Sequence, residues 1–303
     1  FDESLPEQGR NFTTKMWNAF KLVKSWDIAN IKQPEHSRLA LQWFTSLLNK
    51  TNETLNTQFD QYRISEALMT VYTTFRDEFS SWLLEIIKPA YGQPIDRLTY
   101  EQTINIFEQL LQQLHPFMPF ITEEIWQSLR NRKSGESIMI SLLPKPTKYE
   151  EQLLNQFEAV KDIIVGIRNI RKQNNVAFKE CLELKIKQNE RYPVTFASII
   201  SKMGNLTSIE TVNEAVKGAW CFMVDTVEYF IPASGQVNTE EMKAKLQEEL
   251  TYTRGFLTSV MKKLSNEKFV SGAPAQVVAN ERKKQADAEA KIAAIESQLA
   301  ELK

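Results

Sequence analysis

Apolar side chains recur three or four positions apart through the first 145 residues, the spacing that lines one face of an α-helix. Over 8–26 they are Phe12, Met16, Phe20 and Val23, and after Pro34 they are Leu39, Leu41, Phe44, Leu47 and Leu48. The segment 62–88 carries Leu68, Val71, Tyr72, Phe75, Phe79, Leu83 and Ile86, and Pro89 stops it. Thr99 is the expected N-cap of a fourth helix, which runs through Ile106, Leu110 and Leu114 until Pro116. A fifth is expected to begin at Thr122-Glu-Glu124, where acids in the first turn suit the helix dipole. Five amphipathic helices with short connections predict a bundle.

The pattern changes after residue 145. A helix over 149–172 precedes the run 181–187, in which apolar and charged residues alternate at the period of a half-buried strand. A helix near 194–203 and short strands at 206–212, 220–224 and 227–231 complete a small α+β domain. From 237 the helical period returns. Met242, Leu246, Leu250, Leu257, Val260 and Leu264 form one stripe, and Val278, Ala288, Ile292, Ile295, Leu299 and Leu302 form another. Gly272 and Pro274 separate them, which predicts an antiparallel coiled-coil hairpin. The chain is thus expected to be mainly α, with domains at 1–145, 146–236 and 237–303.

Charge adds one feature. The net charge of the 303 residues is −1, so nothing draws nucleic acid to the chain as a whole. Residues 254–284, however, hold seven basic residues against two acids, while the stretches on either side are each acidic. The seven are Arg254, Lys262, Lys263, Lys268, Arg282, Lys283 and Lys284. A rod with a positive head points to a polyanion held at one end. Cys181 and Cys221, with His36 and His115, lack the spacing of a zinc site or disulfide framework. The expectation is a reducing, cytoplasmic protein without structural metal. The absence of an 18-residue apolar run implies no membrane contact, and the opening Phe1 in place of Met suggests a fragment.

No Walker loop, dinucleotide glycine fingerprint or nucleophile–base constellation is present, so no catalytic residue is assigned. Arg168, Arg171 and Lys172 are expected on a solvated helix face, with RNA contact as the less favoured alternative. His115 is expected to be a hydrogen-bonded packing residue. Recognition remains. Asn11, Lys15, Asn18 and Leu22 share one stripe of the first helix, apart from its core face. Two amides and an ammonium on one face suit the splayed bases of a single-stranded RNA loop. The bland alternative is a solvated face.

The string Lys263-Leu-Ser-Asn-Glu-Lys-Phe-Val-Ser-Gly-Ala-Pro-Ala-Gln-Val-Val278 closely resembles the C-terminal coiled-coil arm of bacterial valyl-tRNA synthetases. His115-Pro-Phe-Met-Pro-Phe-Ile-Thr-Glu-Glu-Ile-Trp126 and the 62–89 helix resemble the anticodon-binding bundle of class I synthetases. Glu7-Gln-Gly-Arg-Asn-Phe-Thr-Thr-Lys-Met-Trp-Asn-Ala-Phe20 resembles the first helix of that bundle in the valine family. The resemblance implies that Lys15 and the position of Leu22 meet the anticodon, although Leu22 stands where the family has a stacking aromatic. It implies that the hairpin rests on the outer corner of tRNA, where the D and T loops meet. It also implies a monomeric parent that ligates valine to tRNA(Val) with ATP. The His-x-Gly-His and Lys-Met-Ser-Lys-Ser signatures of ATP activation are absent, so the fragment is expected to hold tRNA without a cofactor and to catalyse nothing. Bundle strings alone leave valine, isoleucine and leucine open; the hairpin selects valine. An isoleucyl-type region, or a coiled-coil scaffold that binds no RNA, are the alternatives.

Overall fold

The computed structural model describes residues 4–233 and 239–301; the linker 234–238 and Leu302 lie outside them, as do the side chains of Met242 and Lys268. The chain divides into two compact units, Phe1–Glu158 and Ala159–Lys303.

The first unit is built from α1 (Ser4–Lys24), α2 (Glu35–Asp60), α3 (Ile64–Thr73), α4 (Leu84–Ile87), α5 (Arg97–Leu114) and α6 (Pro119–Leu129). Its centre is aromatic. Phe75 and Phe79 lie 5.7 and 5.0 Å from Phe107, and Phe44 lies 5.9 Å from Phe79. Phe75, Phe79, Leu83 and Ile86 are all fully buried, as their helical spacing requires. The backbone carrying them is not uniformly α, because Thr74–Leu83 winds as a π-helix between α3 and α4. There the Leu84 amide reaches back to the Phe79 carbonyl, and the Ser81 hydroxyl donates to the Arg76 carbonyl at 2.8 Å.

Two helix starts differ from expectation. Asp96, not Thr99, caps α5: its carboxylate accepts the Thr99 amide at 2.8 Å, so Thr99 already lies in the first turn. Helix α6 begins at Pro119 rather than Thr122, since proline at the first helical position gives up no intrahelical bond. His115 Nδ1 sits 2.7 Å from Thr122 Oγ1, a packing role at the corner between α5 and α6. Two two-residue strands, β1 (Ile28–Ala29) and β2 (Ile95–Asp96), pair in parallel. The start of α7 (Glu151–Gln173) is fixed to α2 through the Trp43–Phe157 stack at 3.7 Å and the Lys50–Glu151 ion pair at 2.8 Å.

In the second unit the rest of α7 covers a four-stranded sheet of β3 (Leu182–Lys187), β4 (Leu206–Val212), β5 (Ala219–Val224) and β6 (Val227–Pro232), ordered β4-β3-β6-β5. Strands β3 and β4 run parallel through the crossover helix α8 (Ala197–Gly204); the other pairings are antiparallel. Leu182, Leu184 and Ile186 are buried between more exposed neighbours, as their alternation demands. Helix α7 meets the sheet at Gly166, where an added Cβ would come within 2.3 Å of the Phe222 ring. That ring is held in turn by a stack on Tyr229 at 5.0 Å. Gly166→Ala is therefore expected to destabilise the unit by about 1–2 kcal/mol, the overpacking cost exceeding the gain in helix propensity. Urea denaturation should show the loss, and unchanged stability would mean that the ring moves aside freely.

Helices α9 (Thr239–Leu264), α10 (Glu267–Gly272) and α11 (Ala275–Glu301) end the chain. Leu246 and Leu250 of α9 pack on Ile292, Ile295 and Leu299 near the end of α11. Lys263, late in α9, meets Glu281, early in α11, so the two long helices run antiparallel. With 26 and 27 residues, each extends roughly 40 Å.

Candidate nucleic-acid interface

Helix α1 turns Phe12, Met16, Ala19 and Val23 into the bundle core. That leaves Asn11 and Asn18 exposed, with Lys15 and Leu22 half-buried. Lys15 Nζ lies 3.3 Å from Ser81 Oγ, on the π-helical segment. The same segment carries Arg76, which forms a two-point ion pair with Asp77 at 2.7 and 2.8 Å and donates to the Tyr72 hydroxyl at 2.9 Å. Tyr72 in turn packs on Phe12 at 4.6 Å. Sequence spacing did not bring Ser81, Arg76 or Tyr72 to this place. Beside Leu22, Trp17 and Phe20 pack on each other at 5.2 Å and are half-buried.

On the hairpin, most of the basic residues already face acids. Arg254 pairs with Glu296 across the two arms at 2.5 Å. Lys283 reaches Asp225 at 2.9 Å, a contact that raises the lysine's pKa. Asp225 sits in the two-residue turn between Val224 and Val227, with φ of 51°. Lys263 and Lys284 share Glu281, at 3.7 and 2.6 Å. The hydrogen bond from Lys284, with the charge of Lys263, holds the Glu281 carboxyl below the ordinary carboxylate range. Its contribution to stability is thus complete at neutral pH and is lost as pH falls through that depressed value. Lys262 and Arg282 are exposed and make no ion pair among the described residues. The Lys268 side chain lies outside the described residues. The basic head is therefore less free than its composition suggests: among the described residues, two open cations stand beside a lysine pair anchored on one carboxylate.

Between α7, β5 and the hairpin lies a cavity of about 500 Å³ whose lining includes Asp162, Asp225, Glu249 and Asp287, with Lys291. Burial and the nearby Asp225 push the Asp287 carboxyl above its ordinary range. So acidic a lining disfavours phosphate, and this side of the hairpin is unsuited to RNA backbone. Arg171 is no candidate either. It is not on a solvated face but only 4% exposed, donating to the carbonyls of Ala177, Gly204 and Asn205. Among the described residues no His, Cys, Asp and Glu group could hold a metal ion, and no helix is long and apolar enough to cross a membrane.

Comparison with known proteins assigns both regions. The family described as anticodon-binding domain of tRNA ligase matches residues 42–186, a span that begins after α1. The family described as valyl tRNA synthetase tRNA binding arm matches residues 238–303, which contain the hairpin. Valine–tRNA ligase of Phocaeicola vulgatus is 57% identical over 304 residues, covering 100% of this chain and 34% of that protein. Those of Parabacteroides distasonis and Christiangramia forsetii are 53% and 47% identical, again along the whole chain. The chain spans about a third of the length of the curated relatives it matches. With both regions matched and whole-chain identity at this level, the chain belongs to the valyl-tRNA synthetase family, as its anticodon-binding and tRNA-binding-arm region.

Proposed function

We propose that this chain is the tRNA-holding region of a cytoplasmic, monomeric enzyme that ligates valine to tRNA(Val) with ATP. Asn11, Lys15 and Asn18 meet the anticodon, with Leu22 packing against a base. Lys262 and Arg282, with Lys263, Lys268 and Lys284, hold phosphates at the outer corner where the D and T loops meet; Arg254 and Lys283 share their charge with acids. The observation that carries the proposal is the match to a tRNA-binding arm on the same helices that concentrate the basic residues. Valine and ATP chemistry belongs to the remainder of a protein about three times this length. The chain alone should therefore show no valine-dependent pyrophosphate exchange.

The bundle half of the proposal is tested by Lys15→Ala. Loss of a base-edge contact should cost about 1–3 kcal/mol in binding and narrow the preference for the valine anticodon over a swapped one. Filter binding with paired transcripts measures both. Equal affinities of variant and parent for every transcript would show that the α1 stripe is only a solvated face.

A further inference from the structure

Glu281 is out of keeping with its position. It follows Val278 by three residues and precedes Ala288 by seven, and both are buried, so it falls on the apolar seam of the hairpin. Glu281 itself is only 6% exposed. Its Oε1 accepts a hydrogen bond from Lys284 at 2.6 Å. Its Oε2 has no hydrogen-bond partner among the described residues and faces Lys263 Nζ at 3.7 Å. The ion pairs favour the ionised carboxylate over its neutral form, but its desolvation offsets that gain, and an apolar residue of similar volume often serves a fold as well or better.

What the carboxylate does accomplish is geometric. Lys263 comes from α9 and Lys284 from α11, and each is a point charge on a long flexible stem. Anchored on one carboxylate, the two ammonium groups lie side by side across the seam, while their side chains stay 58% and 52% exposed. The trio keeps a net positive charge. We propose that Glu281 is a positioning residue that gathers one lysine from each arm into a two-cation cradle for an RNA phosphate. The proposal rests on the tRNA reading above.

Charge counting and positioning predict opposite signs for Glu281→Leu. The substitution adds one net positive charge, so charge alone would tighten binding of a tRNA transcript and steepen its salt dependence. Positioning predicts weaker binding, with the slope of log K against log salt shallower by about 1–2, the signature of lost phosphate contacts. Glu281→Gln, which keeps the volume and an acceptor for Lys284, should lie between the leucine variant and the parent. In a Lys263→Gln/Lys284→Gln background, Glu281→Leu should have no further effect on the slope. Helix content and melting temperature, followed by circular dichroism, should not fall in the leucine variant. Equal or tighter binding with an unchanged or steeper slope overturns the proposal, as does a loss of binding that merely tracks lost helix. Lys262→Gln/Arg282→Gln separates the two levels. If that variant weakens binding and Glu281→Leu does not, the arm binds RNA without a positioned pair. If neither that variant nor Lys263→Gln/Lys284→Gln changes binding or its slope, the tRNA reading of the hairpin fails with the proposal.

Discussion

Arg171→Ala is expected to destabilise the second unit by about 3–4 kcal/mol, from the unsatisfied acceptors and the void it leaves. The guanidinium donates to Ala177 at 2.9 Å, Gly204 at 2.8 Å and Asn205 at 3.2 Å, and lies 5.7 Å from the Phe178 ring centre. It thus ties the last turn of α7 to the loop before β3 and to the end of α8. The carbonyls of Ala177 and Asn205 can turn to water on its removal, whereas the buried bond to Gly204 has no replacement. Desolvation lowers the Arg171 pKa, and Nε has no partner among the described residues, so part of the gain is already offset. Arg171→Lys should rescue little, because a single ammonium cannot span acceptors arranged for a planar fork. Urea denaturation gives the difference directly. An unshifted midpoint would show that the three carbonyls are as well served by water.

Salt should have the largest effect on binding. If four phosphates are neutralised, raising monovalent salt from about 50 to 200 mM should weaken tRNA binding by about 50–150-fold, at a slope of roughly 0.7–0.9 per phosphate. Four is the count when Lys262, Lys268 and Arg282 each neutralise one phosphate, the Lys263–Lys284 pair holds one more, and the cations paired to Glu296 and Asp225 do not act. A slope about half as steep again would mean that Arg254 and Lys283 exchange their acids for phosphate on binding. A flat response would mean that the hairpin makes no backbone contact.

The elements were legible in the sequence wherever one face is buried throughout. Strand β4 occupies 206–212 as expected, and α5 and α7 fell within a few residues of their observed ends, because period and burial coincide there, whereas the stripe of α2 stopped at Leu48 although the helix runs to Asp60. Periodicity was silent where the backbone departs from it. The π-helical winding of Thr74–Leu83 keeps Phe75, Phe79 and Leu83 in the core, so their spacing reads as an ordinary helix. The Asp96 cap lay next to the Thr99 that spacing favoured, and a two-residue pairing such as β1–β2 carries no pattern. The candidate site was legible as residue types and charge, and partners were what was missing. Asp225 meets Lys283, and Ser81 meets Lys15, only through folding of distant segments. Glu281 is a further case. It was counted in the sequence only as one of two acids in the basic stretch, and its burial on the seam and its contacts to Lys263 and Lys284 emerge only in the folded hairpin.

RNA footprinting of a tRNA(Val) transcript with the full chain tests most directly the claim that this region holds tRNA at two places. Protection of the anticodon loop and of the D and T loops together, both lost at high salt, is the predicted result. Protection of the anticodon loop alone would reduce the hairpin to a spacer, and protection of neither would contradict the account.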